Sequence, residues 1–248
     1  SRGRGRLGAG AVVIERIDSA VFGPVPDFVR LTVRMRRIHD VTDGAVAAAR
    51  DALARAAAAA AAAPPPDAVF AAWRTAYADV GLPAATIPPH EALLAWARSP
   101  HGVPSQGVVA DLLNAFSLTH GVPTAGYDVD HIQGDLWLRP SRGCEAHWPL
   151  GGAAGRPNTV EINELILADS ADAVVARAWH GAPGAQAFVG AAGRDILLHF
   201  DLLPPAPAAL QDVGLLALEA STRIGSLLGG PLSWQAMSRA VPMARWDA

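Results

Sequence analysis

Two spacings of apolar residues divide this chain. Between residues 44 and 121 they recur three or four positions apart, as on helices; before and after that stretch they mostly alternate with polar ones, as in strands. Residues 10–18, GAVVIERID, form a loose first alternation. Residues 28–38, FVRLTVRMRRI, are cleaner: Val29, Leu31, Val33 and Met35 interleave with Arg30, Thr32, Arg34 and Arg36. This predicts a half-buried strand whose cationic side is solvated, a plainer reading than a surface for an anionic ligand.

The helical region opens with an alanine-rich segment, 44–63, with Asp43 placed to cap it and Pro64, Pro65 and Pro66 to stop it. It reads as a scaffold helix or an alanine-rich spacer. A second helix, from Asp67 to about Val80, carries a stripe of Val69, Phe70, Trp73 and Tyr77 with Arg74 beside it, and Gly81 ends it. A third, about 90–98, buries Leu93, Leu94 and Ala97; a fourth starts near Gly107 and closes at Gly121. Asn114 sits within that apolar helix as either a satisfied core amide or a pocket ligand. Strands are then expected in 125–132, 134–140, 144–150, 160–169, 172–180 and 194–203, followed by a helix at 207–228 and a tail carrying Trp234 and Trp246. Strands and helices mix without a strict βαβ rhythm, so the fold class is α+β, or mixed α/β. We expect one domain over 10–248, a disordered basic tail at 1–9, and 56–66 as the one candidate linker.

Composition narrows the function classes. Of 248 residues, 51% are hydrophobic and 17% charged, ample for a packed core. Outside the weakly apolar alanine tract no run is long enough to span a membrane. The single cysteine, Cys144, excludes a disulfide framework and a cysteine zinc site, and fits a cytoplasmic setting. A formal charge of −3 gives no global footprint for nucleic acid. The opening SRGRGR lacks the apolar core of a signal peptide.

Phosphate-loop, dinucleotide-binding and nucleophile-elbow motifs are absent. HEALL lacks the second histidine of a zinc helix, and the eight histidines show no ligand-like spacing, so no metal or cofactor is expected. Asp128, Asp130, Glu145, Glu161 and Glu164 could include a catalytic carboxylate, although carboxylates near turns are usually solvated.

The segments WRTAYADVGL, HEALLAWA, VVADLLNAFSLTHGVPTAGYDVDHIQGDLWLR, VEINELILAD and ARAWH resemble, in that order, the B3/4 domain, the editing domain of the phenylalanyl-tRNA synthetase β subunit, and especially its freestanding relatives. The resemblance implies a B3/4-like fold, with a central, mostly antiparallel or mixed sheet flanked by helices around a pocket for an aminoacyl-sized ligand. Two departures matter: His90 stands where those relatives usually have serine, and the chain lacks the basic surface that a protein binding tRNA alone ordinarily needs. Both point to a second similar group, the bacterial Pictet-Spengler enzymes that make β-carbolines from tryptophan. That likeness implies an arginine, a histidine and a glutamate in the site. Arg74 and His90 match the first two. Where the glutamate would fall stand Ser99, Pro100 and His101, so His101 or Glu91 would have to supply the third role.

The chemistry itself asks for these residue types. A planar arginine, Arg74, can hold a carboxylate with two hydrogen bonds, and an imidazole, His90 or His101, can move protons near neutral pH. An apolar wall favours the electrophilic step, with Trp73, Trp96, Phe116 and Trp137 as candidates. Ester hydrolysis would instead use His90, Asn114 and Glu145 or Glu161 around a water. Asp128 is a further candidate, more simply read as a strand-end residue. Arg74 could equally make a structural ion pair, His90 a bond to backbone, and the tryptophans core contacts. The leading expectation is an enzyme condensing an aromatic amino acid with a carbonyl compound. Deacylation of mischarged tRNA is the alternative and a non-catalytic amino-acid-binding module the third; a homodimer is an allowed assembly.

Overall fold

The computed structural model describes residues 12–38, 40–150, 157–181, 183–185, 189, 194–204 and 212–247. The expected tail 1–9 and the start of the final helix lie outside them. In chain order the elements are β1 (Val13–Ile17), α1 (Ser19–Phe22), β2 (Val29–Arg36), α2 (Asp43–Ala62), α3 (Asp67–Asp79), α4 (Pro89–Ala97), α5 (Val108–His120), β3 (Thr124–Asp128) and β4 (Leu136–Pro140). There follow β5 (Ala146–His147), β6 (Asn158–Thr159), β7 (Leu165–Asp169), β8 (Val174–Ala176), β9 (Asp195–Leu202), α6 (Val213–Leu228), β10 (Leu232–Met237) and β11 (Met243–Trp246). The fold is mixed α+β.

Among the described residues two large sheets and a two-stranded one, β5-β6, take the place of the single central sheet that was expected. One has four strands in the order β10-β2-β9-β3, antiparallel throughout; the other has five, β11-β1-β4-β7-β8, with β1 and β4 parallel. Alternation along β2 and β9 assigns their faces. Leu31, Val33, Met35, Ile196, Leu198 and Phe200 pack with residues of α2, α5 and α6. The opposite face, through Leu197 and Tyr127, joins Val13, Leu136, Leu138 and Leu167 of the second sheet in a separate core.

That second core corrects the reading of β2. Its polar side is covered: Arg30 is 2% exposed, Thr32 0% and Arg34 3%. Alternation ordinarily marks a half-solvated strand, but here β9 supplies partners for both arginines, while the Thr32 hydroxyl has none among the described residues. Asp201, directly opposite Arg30 in the ladder, accepts from Nε at 2.7 Å and Nη2 at 2.6 Å. Asp195 accepts from Arg34 at 2.9 and 2.6 Å. A second buried link joins the sheets: Glu15 of β1 accepts from His199 Nε2 of β9 at 2.6 Å and from Trp246 Nε1 of β11 at 2.9 Å.

Several boundaries also differ. Thr42, rather than Asp43, caps α2, accepting from the Ala45 N–H at 3.1 Å. Ala56–Ala62 continue α2 instead of forming a linker, and Ala60 is buried among α3, α4 and α5 residues. The expected strand 160–169 begins only at Leu165, after a turn in which Asn163 has φ 67°. Of 144–150 only Ala146–His147 pair as a strand, and of 172–180 only Val174–Ala176. The C-terminal tail, with no element assigned from sequence, contributes β10 to one sheet and β11 to the other.

Removing one member of a buried ion pair leaves the other uncompensated, at about 3–5 kcal/mol. Arg30→Met is therefore expected to lower the urea-unfolding free energy by about that amount. A loss below about 1 kcal/mol would show that water reaches this layer and that Asp201 does not depend on Arg30.

Candidate functional site

The prolines before His90 start α4: Pro88 occupies the cap position and Pro89 the first turn, where its missing N–H costs nothing. His90 is thereby directed against α3, whose Phe70 and Trp73, three residues apart, share a face. The imidazole stacks on Phe70, centroids 5.2 Å apart, and meets Trp73 edge-on at 5.9 Å. It is 2% exposed, and neither ring nitrogen has a hydrogen-bond partner among the described residues. Burial, reinforced by His180 and Arg74, pushes its pKa down to about 3. In this closed arrangement the ring is neutral, so the expected proton shuttle near neutral pH requires a partner that the resting site does not supply.

Trp73 is the hub of a wider aromatic cluster. Tyr77 lies 6.4 Å from it, Trp179 5.4 Å, His180 5.2 Å and Phe28 6.4 Å, all edge-on. Trp179 and His180 reach the cluster through a turn in which Ala178 and Trp179 both adopt left-handed backbone, φ 45° and 65°. Such geometry in non-glycine residues costs on the order of 1–3 kcal/mol each, so surrounding contacts must hold it. Here the Trp179 N–H donates to the Leu165 carbonyl at 2.8 Å. His180 Nε2 bonds Asp201 at 2.6 Å, and its Nδ1 lies 3.0 Å from the Tyr77 hydroxyl. Burial alone would raise the Asp201 carboxyl, but Arg30 and His180 outweigh it and keep Asp201 ionised.

At the rim, Arg74 Nη1 donates to Glu91 Oε1 at 2.5 Å, while Nη2 holds Asp67 more loosely, at 3.2 and 3.4 Å. The second Glu91 oxygen is buried without a partner. Trp73, Arg74, His90 and Glu91 are thus brought together. Between the two stand-ins for the third catalytic group, Glu91 touches Arg74, whereas His101 is exposed in the turn after α4.

The other expected residues lie elsewhere. Trp96 is on the exposed side of α4. Phe116 packs on Phe200 in the helix-side core, and Asn114 is half-buried on the same helix. Asp128 closes β3, accepting from the Asp130 N–H at 3.1 Å and pairing with His131 at 3.1 Å. Trp137 is exposed on β4. Burial would raise the Glu145 carboxyl, but the Arg142 N–H, Arg139 and Ser141 hold it at about 2; it clamps its own loop. Glu161 lines a cleft of about 540 Å³ with Val80, Thr86, Asn163, Glu164 and Arg177, against the same turn that carries Trp179 and His180.

Tyr77 was read from sequence only as a stripe residue, and Arg30, His180 and Asp201 were not singled out for the site. Opposite charges at alternate positions of two strands, Arg30 in 28–38 and Asp201 in 194–203, carried the available signal. His180 ends ARAWH, one of the segments that carry the B3/4 resemblance, but nothing local marks it as a site residue. Among the described residues no three His, Cys, Asp or Glu side chains are grouped to hold a metal ion, and no helix is long and apolar enough to cross a membrane.

The sequence pattern of the B3/4 domain matches residues 72–223, more than half of the chain, and the protein belongs to that family. The match takes in Trp73, Arg74, His90, Glu91, His180 and Asp201. Among solved structures, an N-terminal fragment of the phenylalanyl-tRNA synthetase β subunit from Pyrococcus horikoshii is similar, at 12% identity and a TM-score of 0.45. The alignment covers 89% of this chain and 50% of that one, so the chain spans half the length of its structural neighbour. No curated protein matches the sequence.

The site has a stability signature. An unfolded imidazole takes up a proton near pH 6.5, whereas His90 in the fold does so only near 3. Between those values the unfolded chain binds more protons, so stability is full above about pH 6.5 and falls as pH drops, by up to about 1.4 kcal/mol per unit. His180, also depressed by burial, acts in the same direction. His90→Phe should flatten the slope between about pH 6 and 4 and leave stability at pH 7 unchanged or about 1 kcal/mol higher, since it removes buried polar atoms that lack partners. An unchanged slope would mean that His90 is solvated.

Proposed function

We propose that this B3/4-domain protein is a small-molecule enzyme that condenses an aromatic amino acid such as tryptophan with an aldehyde or keto acid in a Pictet-Spengler reaction. The observation that carries the reading is the buried His90 imidazole, unpartnered on both nitrogens, set among aromatic rings beside the Arg74–Glu91 pair. A buried polar group without a partner costs about 1–3 kcal/mol, which a ligand can recover.

Each group has a part in that chemistry. Arg74 takes the substrate carboxylate by exchanging its looser partner, Asp67, for two parallel hydrogen bonds, while Glu91 stays to orient the guanidinium. The amine adds to the carbonyl carbon, the carbinolamine takes up one proton and loses water, and an iminium forms; the ring proton lost at the end restores the balance. Aromatic faces stabilise that cation, and a neutral imidazole does not repel it. The indole ring then forms the new carbon–carbon bond, and loss of one ring proton restores aromaticity. His90 can accept a proton from the attacking amine and return it to the departing hydroxyl. Atoms balance as amino acid plus carbonyl compound giving tetrahydro-β-carboline and water, with no cofactor. Hydrolysis of mischarged aminoacyl-tRNA, the alternative suited to the family fold, would require a surface for RNA that the formal charge of −3 does not favour.

Incubation with L-tryptophan and a panel of aldehydes is expected to give tetrahydro-β-carboline masses. His90→Ala should abolish turnover while tryptophan still binds, and Arg74→Gln should raise KM roughly 10- to 100-fold. Failure with every aldehyde, together with release of amino acid from a misacylated tRNA, would replace this reading with editing; tryptophan binding without either reaction would leave a binding module.

A further inference from the structure

His90 lacks something that a final proton acceptor needs. Among the described residues no carboxylate hydrogen-bonds its ring, so an imidazolium formed there would have no paired counter-charge in a site closed to water. It suits a proton borrowed and returned within one step. Rearomatisation then gives back, from the indole ring, the proton that iminium formation took up, and that proton needs an acceptor with a counter-charge beside it.

Such an acceptor lies across Trp73 from His90. Asp201 is ionised by Arg30 and can only accept hydrogen bonds, so His180 Nε2 carries the proton between them, 2.6 Å apart. His180 Nδ1 is then an acceptor, and the Tyr77 hydroxyl donates to it at 3.0 Å. Tyr77 keeps its proton, because burial, with the Asp201 charge adding to it, holds the phenol above its ordinary range. The order hydroxyl, imidazole, carboxylate is that of a base relay: a hydroxyl can take a substrate proton only while giving its own to the imidazole, and the carboxylate holds the resulting cation. The charged and titratable groups around His180 are Asp201, Tyr77, Arg30, His199 and His90. Of these, Asp201 is both anionic and bonded to the ring.

We infer that Tyr77, His180 and Asp201 form the base of this site, Tyr77 being the group that meets substrate and His180 and Asp201 its positioning residues. The inference rests on the proposed condensation. In the closing step the bond from the ring carbon to hydrogen breaks and its electron pair restores the indole. The proton passes to the Tyr77 oxygen, the Tyr77 proton passes to His180 Nδ1, and the imidazolium is held against Asp201 until product leaves and the proton returns to solvent. No oxidant or second reactant enters. The division of labour follows from the surroundings of two histidines on one tryptophan, 5.9 and 5.2 Å from its ring, of which one has a carboxylate and the other has none.

Tyr77→Phe tests this, because it keeps the ring contacts to Trp73 and Trp179 and removes only the hydroxyl. With tryptophan deuterated at the indole carbon that loses its proton, the variant should lose about a hundredfold or more in kcat with little change in KM, and should show a primary isotope effect absent from the wild type. A structural role for Tyr77 would not create an isotope effect. Unchanged kcat, or a loss without the isotope effect, would overturn the relay. Inactivity of the wild-type protein with every carbonyl compound would count against the condensation instead. The relay then stands or falls on imidazole nitrogen shifts of the wild-type protein, with a neutral His180 protonated on Nε2 supporting it and protonation on Nδ1 overturning it.

Discussion

The contact on which the rest depends is the ion pair between Arg30 and Asp201. It lies between two sheets, far from solvent, where separating either charge from its partner costs several kcal/mol. Because the two residues face each other in the ladder of β2 and β9, the pair also fixes register. A slip of one residue would turn Arg30 and Asp201 toward the helices and Leu31 and Phe200 toward the polar layer. Asp201 has a further partner in His180, so the same carboxylate ties the sheet to the left-handed turn at Ala178 and Trp179. From that turn the constraint passes by ring contact to Trp73 and then to His90. A pairing of two strands thus places a histidine brought in by a separate loop.

Against that ordered background the site stands out by what it leaves incomplete. Glu145 and Asp201, equally buried carboxylates, are fully engaged, and so is Glu15. Among the described residues both ring nitrogens of His90 and one oxygen of Glu91 are not, and single atoms of Thr32, Trp179 and His199 also lack partners. Folds ordinarily satisfy buried polar atoms, and His90 differs from those other exceptions in that both of its ring nitrogens lack a partner, next to an unpartnered oxygen on the adjacent residue; the proposed reaction would place substrate atoms there. The cost of these unpartnered groups is carried by the aromatic packing around Trp73 and by the ionic layer beneath it.

Much of this was legible in the chain. The helices of the middle region follow directly from spacing and from their stops, Pro64–Pro66 and Gly121. Arg74 and His90 follow from the resemblance, with Glu91 or His101 standing in for its missing glutamate, and the structure places Glu91, not His101, beside Arg74. What spacing could not reveal was coverage. Alternation in β2 is the same whether its polar side meets water or another sheet, and only the unread tail, whose β11 closes the second sheet beside Glu15, makes the difference visible. Phe116 and Trp137 share the composition of an aromatic wall but sit on other surfaces, because residue type says nothing of which core a helix or strand faces. His180 lies in the resembling segment ARAWH, but its place in the site was not legible, because that place depends on two left-handed residues, Ala178 and Trp179, whose types do not favour that conformation.

In the proposed function the two unlike histidines on either side of Trp73 belong to one aromatic-ligand site. A titration of the isotope-labelled protein with L-tryptophan, observing the imidazole resonances, tests it most directly. Saturable shifts are expected at both His90 and His180, with His90 gaining a hydrogen bond it lacks in the free protein. Tryptophan that binds while leaving both rings unperturbed, or that perturbs only the exposed His101, would contradict it.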